Sequence, residues 1–190
     1  MSVLQGQLIN RLFTLRRIEQ VIPRSLLKKV ADGIFMSKLR YGLAIFWPVR
    51  ITDEDPHTTA VQAIKVVFNR MLRILCGTAK QDKVSVKSML DRLGWLSINQ
   101  LAAEIRLIEV WKGLNLNNGL SDLFEKVEGS TRAASENRIQ VKGLNSKLKD
   151  NSFHYPSVKL WNMAPVTDSD VKKEVSARKA IRQFVKTLPM

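Results

Sequence analysis

Cysteine and histidine are the scarcest reactive residues in this chain of 190 residues. Cys76 is its only cysteine, so no disulfide can form within the chain, and a reducing intracellular compartment is expected. With only His57 and His154 to accompany it, no zinc site is expected. We therefore predict no cofactor and no metal, and we predict that Cys76 is a small buried hydrophobic residue.

Long apolar runs and catalytic motifs are also missing. No uncharged apolar stretch reaches the 18 or so residues of a membrane span, and residues 1–10 lack the basic region and apolar run of a signal peptide. There is no Ser–His–Asp constellation, no pair of carboxylates on a shared scaffold and no Gly-x-x-x-x-Gly-Lys phosphate loop. We predict that the chain is not an enzyme on its own.

Positive charge is what the chain has in excess. Lys and Arg number 31 against 17 Asp and Glu, which gives a net charge of +14. Residues 1–50 hold nine bases and two acids, and residues 151–190 hold seven bases and three acids. The two ends therefore carry more of the net positive charge than the middle. A field of this sign favours polyanions, with nucleic acid first and an anionic membrane surface second.

The stretch 61–77, VQAIKVVFNRMLRILCG, organises the chain. Its large apolar residues recur every three or four positions and so share one side of a helix: Val61, Ile64, Phe68, Met71 and Leu75. The opposite side is polar and cationic: Lys65, Asn69, Arg70 and Arg73. Gly77 is the predicted C-terminal stop. This pattern predicts a central helix with one apolar and one cationic face.

The remaining periodicity predicts an all-α fold. Helices are expected over 3–20, 24–47, 84–93, 97–112 and 176–188, and the second of these is apolar on nearly all sides beyond residue 34, which predicts burial on all sides. We predict a helical bundle over 1–112, a loop-rich linker over 113–152 with a possible short strand at 138–142, and a small helical C-terminal part over 153–190. The four tryptophans lie within apolar patterns, which predicts core positions rather than base stacking: Trp47, Trp95, Trp111 and Trp161.

Cations on the helix faces are the candidate binding residues. In the bundle the candidates for phosphate contacts are Arg11, Arg16, Arg17, Lys28, Lys29, Lys65, Arg70 and Arg73. A second set recurs every four residues along the last helix, Arg178, Arg182 and Lys186, with Lys179 alongside. Phosphate contacts give affinity and salt dependence but do not distinguish one nucleotide sequence from another. The charges at Glu104, Arg106 and Glu109 are mixed, so their surface is not a predicted polyanion site.

Four blocks in this order resemble the C-terminal region of reverse transcriptases from non-LTR (LINE-type) retrotransposons. The blocks are residues 8–47, the central stretch 61–77, residues 93–101 (LGWLSINQL) and residues 152–165 (SFHYPSVKLWNMAP). The residues that carry the resemblance are Tyr41, Gly42, Trp47, Gln62, Asn69, Arg70, Leu72, Arg73, Gly77, Phe153, Trp161, Asn162 and Pro165. Nearly the whole chain is covered.

The resemblance implies a thumb-like helical domain with a C-terminal extension. In the family this region holds the template–primer and the element RNA, so the expected partner is RNA or an RNA–DNA duplex, with a nuclear or cytoplasmic location and the nucleus favoured. No Asp-Asp pair occurs, so the two-metal polymerase site of the palm cannot be built here. The expectation is either a fragment of a longer polymerase or the product of a truncated element.

Two other readings of the sequence stay open. The basic last helix also suits a helical module that docks on an acidic protein or a membrane surface. Alternatively, the chain is the product of a decayed element with no selected role.

Overall fold

The computed structural model describes residues 2–49, 59–116, 123–124, 138–140, 153–165 and 174–190. The fold is all-α, as predicted, and the described residues contain no strand. Within these residues the helices are α1 (Ser2–Ile18), α2 (Arg24–Ala31), α3 (Ser37–Phe46), α4 (Thr59–Cys76), α5 (Val86–Leu93), α6 (Ile98–Asn115), α7 (His154–Met163) and α8 (Glu174–Val185). A π-helical turn (Asp32–Met36) joins α2 to α3, and a 3-10 turn (Lys80–Asp82) follows α4.

The chain divides into two compact units. The first comprises residues 1–47 and 54–98, and the second comprises residues 48–53 and 99–190. The sequence instead predicted a boundary after residue 112, which would group α6 with the N-terminal bundle. The structure places α6 from Asn99 onward with the C-terminal helices because its side chains bond to the last residues of the chain. Most of the predicted linker, 113–152, lies outside the described residues.

Helix α1 forms because leucines recur every three or four residues along it. The spacing predicts a buried stripe that also includes Ile18 and Ile22. Leu4, Leu8, Leu12 and Leu15 are buried, whereas the two isoleucines are half-buried. The arginines Arg16 and Arg17 stand off this stripe in its last turn and are exposed. Positive side chains are favourable there because the helix dipole places partial negative charge at the C-terminal end.

The second predicted helix, over 24–47, is present but is interrupted by the π-helical turn. Pro23 is its N-cap, with φ −60°, which suits the fixed φ of proline. The predicted burial on all sides is only partly correct: Phe35, Leu39 and Leu43 are buried, but Tyr41 is 66% exposed. One face of α3 is therefore open to solvent.

Helix α4 is central to the first unit, because it packs against α1, α2 and α5. The five residues of the predicted apolar stripe are all buried, and Val67, Leu72 and Cys76 are buried as well. The buried arc is wider than one stripe because α4 has neighbours on more than one side. Gly77 ends the helix with φ 62°, and the backbone N–H of Thr78 donates to the carbonyl of Arg73 at 3.0 Å.

The second unit is built on α6, α7 and α8. Trp111 of α6, Trp161 of α7 and Ile181 of α8 are buried, and the two tryptophans were predicted core residues. Asn99 Nδ2 donates to the carbonyl of Pro189 at 3.0 Å. Gln100 Nε2 donates to the carbonyls of residues 186 and 188, at 3.3 and 3.1 Å. These bonds hold the last residues of the chain against the start of α6.

Asn162 of α7 forms two hydrogen bonds with the backbone of the segment 138–140. Its Oδ1 accepts from the Ile139 N–H at 2.9 Å, and its Nδ2 donates to the Ile139 carbonyl at 3.1 Å. The described part of the predicted strand, residues 138–140, is thus bonded to α7 through both backbone groups of Ile139. Residues 141 and 142 lie outside the described residues.

We expect Asn162→Ala to destabilise the second unit by about 1–3 kcal/mol, because Ile139 is buried and its amide and carbonyl both lose their partner. Hydrogen exchange should show a large loss of protection at the Ile139 amide. Gln140→Ala, a change at an exposed neighbour, serves as the control and should leave that protection unchanged. Undiminished protection in Asn162→Ala would contradict the assigned role.

Candidate nucleic-acid interface

The first unit concentrates positive charge. Its described residues contain fifteen Lys and Arg against four Asp and Glu, a balance of +11. One of the four acids, Asp32, already pairs with Arg40 at 3.0 Å. A second, Asp82, accepts a hydrogen bond from the backbone N–H of Ala79 at 2.6 Å. The acids of this unit are too few to neutralise its bases.

Six of the twelve predicted binding residues are exposed cations that make no hydrogen bond or ion pair with any described residue. Four belong to the first unit and two to α8: Arg16, Arg17, Lys29, Arg70, Lys179 and Lys186. Arg70 stands on the outward face of α4, as predicted, while Lys65 on the same helix is half-buried. These six side chains retain their full hydrogen-bonding capacity for an external anion.

Three other predicted residues bond to backbone carbonyls of the first unit. Arg11 donates from Nη1 to the carbonyl of Ile34 in the π-helical turn. Lys28 Nζ donates to the carbonyl of residue 93 at 2.7 Å, and Arg73 Nη1 donates to that of residue 79 at 3.0 Å. A carbonyl is neutral, so these bonds fix the positions of the cations and leave their charge in place.

The cationic stripe on α8 is present but partly neutralised. Arg178 pairs with Glu174 at 2.6 Å, and Arg182 Nε lies 3.9 Å from a carboxylate oxygen of Glu104. The guanidinium-bearing side chains are 47% and 54% exposed, so each pair contributes little to stability, about 0–1 kcal/mol. On α8, Lys179 and Lys186 are therefore the predicted cations without a carboxylate partner among the described residues.

Two arginines that the sequence reading did not select converge on one oxygen atom. Arg24 and Arg92 donate from Nη1 to the carbonyl of Cys76, at 3.0 and 3.3 Å. The guanidinium of Arg24 lies over Gly77, in the space that a Cβ would occupy. The sequence held one signal for Arg24: a base in the first turn of α2 is disfavoured by the dipole of its own helix, so a contact with another helix would stabilise it. Arg24 makes this contact with the C-terminal end of α4.

The Cys76 thiol beneath these arginines is inert. It is buried, as predicted, and burial raises its pKa, although the positive charges of Arg92 and Arg24 act in the opposite direction. A raised pKa keeps the sulfur protonated at neutral pH, and a protonated thiol is a poor nucleophile. Cys76 therefore contributes packing rather than chemistry.

Arg106 departs from its predicted position on a mixed-charge surface. It is only 3% exposed, its guanidinium lies 5.5 Å from the centre of the Phe153 ring, and burial lowers its pKa to about 10. Elsewhere in the second unit, the rings of Phe124 and His154 are stacked with their centres 5.6 Å apart. Arg106 is a core residue of the second unit and is not available to a polyanion.

Other classes of site are absent from the part of the chain that the structure describes. It contains no group of three or more His, Cys, Asp and Glu side chains placed to hold a metal ion. Of the helices described, none combines the length and apolar character needed to cross a membrane. No protein-family model, curated protein or solved structure matches this chain.

Proposed function

We propose that this chain is a non-catalytic nucleic-acid-binding region that holds RNA or an RNA–DNA duplex through sequence-independent phosphate contacts. The observation that carries the proposal is the +11 balance of the described first unit, with Arg16, Arg17, Lys29 and Arg70 exposed on it. Clustered, solvated cations without carboxylate partners are the electrostatic requirement for binding a phosphate backbone.

The carbonyl-bonded cations support the same proposal. A guanidinium has five N–H donors, and Arg24, Arg73 and Arg92 each use one of them in the bonds described above. The bonds immobilise long side chains before any ligand arrives. Less conformational entropy is then lost when a phosphate binds.

The resemblance to LINE-type reverse transcriptases supplies the biological setting of the proposal. The parent protein would be an RNA-directed DNA polymerase whose palm, absent here, supplies the catalytic carboxylates. The chain itself would have no cofactor, and it would act in the nucleus or the cytoplasm, with the nucleus favoured. The ion pairs of Arg178 and Arg182 weaken the alternative of a C-terminal helix that docks on acidic proteins or membranes.

We expect the triple variant Arg16→Ala, Arg17→Ala, Arg70→Ala to weaken binding to all nucleic acids alike. Each lost phosphate contact should reduce the slope of log K against log salt by about 0.7–0.9, so the triple variant should lose about 2–3. Fluorescence anisotropy with an RNA–DNA duplex, a structured RNA and a single strand, each titrated with salt, measures both quantities.

The matched control is Lys80→Ala, Lys87→Ala, Lys159→Ala, which removes the same charge at exposed positions outside the candidate set. It should change the slope by less than one. Equal slopes in the two triple variants would show that net charge, and not these residues, determines binding. Binding to anionic vesicles with none to any of the three nucleic acids would overturn the proposed function.

A further inference from the structure

A polar groove lies on the first unit between α1 and α3. Its volume is about 330 Å³, and it is lined by Gln7, Asn10, Arg11 and Thr14 of α1 and by Lys38 of α3. Small-molecule sites in proteins span about 300–1,000 Å³ and are mostly apolar. This groove is near the lower end of that range, and every side chain that lines it carries a polar or charged group, so it suits a small, charged group that also bears a hydroxyl.

Both cations of the groove are held in place without losing their charge. Arg11 bonds to the neutral carbonyl of Ile34, and the Lys38 ammonium lies 5.5 Å from the centre of the Tyr41 ring. An aromatic face attracts a cation but cannot neutralise it. The lining contains no carboxylate, so two positive charges face this space together.

The carbonyl that holds Arg11 belongs to the π-helical turn. In a π turn each N–H reaches back five residues instead of four, and such single turns occur frequently at functional sites. Ile34 lies within this turn, and its carbonyl bonds to a side chain from another helix. The π-helical turn between α2 and α3 therefore orients Arg11, one of the two cations of the groove.

The neutral side chains of the groove add groups that both donate and accept. The amides of Gln7 and Asn10 each offer two N–H donors and a carbonyl acceptor. The Thr14 hydroxyl donates to the backbone carbonyl of Asn10 at 3.2 Å, which leaves the lone pairs of the hydroxyl oxygen as acceptors. A sugar hydroxyl is likewise both donor and acceptor, so amides and a hydroxyl beside two cations complement a phosphorylated sugar.

We propose that this groove binds one ribose–phosphate unit of RNA. The phosphate lies between Arg11 and Lys38, and the 2′-hydroxyl bonds to the amides of Gln7 and Asn10. The proposal rests on the proposed function and deepens it, because the 2′-hydroxyl is the group by which a protein distinguishes RNA from DNA. The groove therefore confers a preference for RNA on a surface that otherwise recognises phosphates alone.

The test compares single-stranded RNA and DNA of one sequence by fluorescence anisotropy at fixed salt. The wild-type chain should bind the RNA more tightly. Gln7→Ala with Asn10→Ala should weaken RNA binding roughly tenfold, as expected for the loss of two hydrogen bonds, and should leave DNA binding unchanged. Lys38→Ala should weaken both complexes equally and reduce the salt slope by about 0.7.

The control for the amides is Gln20→Ala with Gln81→Ala, and the control for the charge is Lys87→Ala, all at exposed positions outside the groove and outside the candidate binding set. Thermal melting establishes that each variant is folded. Equal affinity of the wild type for RNA and DNA, or an amide double variant that behaves like its control, overturns the groove proposal and leaves the proposed function standing. Failure to bind either single strand overturns the groove proposal, and failure to bind the RNA–DNA duplex and the structured RNA as well overturns both proposals.

Discussion

Phe68→Ala is expected to lower the free energy of unfolding of the first unit by about 3–5 kcal/mol, the range for truncating a fully buried phenylalanine. Phe68 is 2% exposed and lies at the middle of α4, the helix against which α1, α2 and α5 pack. Removal of its ring leaves a cavity between packed helices. Since domains of this kind are stable by only about 5–15 kcal/mol, a large part of the unit's stability would be lost.

Denaturant unfolding of the full chain, followed by circular dichroism, measures this effect. Val66→Ala is the matched control, because Val66 lies two residues away on the same helix and is 49% exposed. Its effect should stay within about 0.5 kcal/mol. If the two variants unfold at the same denaturant concentration, the apolar face of α4 does not organise the unit.

Gly77→Ala is expected to cost about 2–4 kcal/mol through two separate effects. The first is backbone strain, about 1–2 kcal/mol, because Gly77 has φ 62° and an L-residue is strained in the left-handed region. The second is displacement of Arg24, since an added Cβ would overlap its guanidinium. The hydrogen bond from Arg24 to the Cys76 carbonyl would then be lost, at about 1 kcal/mol or more.

Gly94→Ala separates the two effects. Gly94 has φ 66°, nearly the same as Gly77, but nothing lies within 4 Å of the position of its added Cβ. It should therefore show the backbone strain alone. Combining each glycine substitution with Arg24→Ala completes the comparison: the excess cost of Gly77→Ala should disappear, while the cost of Gly94→Ala should not change. An equal cost for the two single variants would mean that Arg24 does not occupy the space over Gly77.

Local patterns in the sequence were sufficient to predict where most of the described helices lie. Leucine spacing predicted the buried face of α1, and Gly77 marked the end of α4. These features depend on neighbours within about one helical turn, and therefore a linear reading can find them. The excess of positive charge is likewise a property of composition. Which of the cations bind nucleic acid stays a prediction.

The partners of the charged side chains were decided by the tertiary structure. The bond from Arg24 to the carbonyl of Cys76 joins residues 52 apart, and the bond from Lys28 to the carbonyl of Leu93 joins residues 65 apart. No periodicity encodes such a pairing, because it depends on how whole helices pack. The sequence did not predict the burial of Arg106 for the same reason. Its neighbours in sequence are mixed in charge, but Phe153, 47 residues later, lies against its guanidinium.

The packing of α6 with the C-terminal helices and the formation of the polar groove also depended on tertiary structure. The sequence predicted a helix over 97–112, which the structure has at 98–115, and packing determined that Gln100 bonds to the carbonyls of residues 186 and 188. The sequence also placed Arg11 on a polar face of α1, but the π-helical turn and Lys38 from α3 made that face one wall of a groove. Helix formation is a local balance of backbone bonds and apolar spacing, whereas a site requires side chains from distant segments to meet, and only the folded chain brings them together.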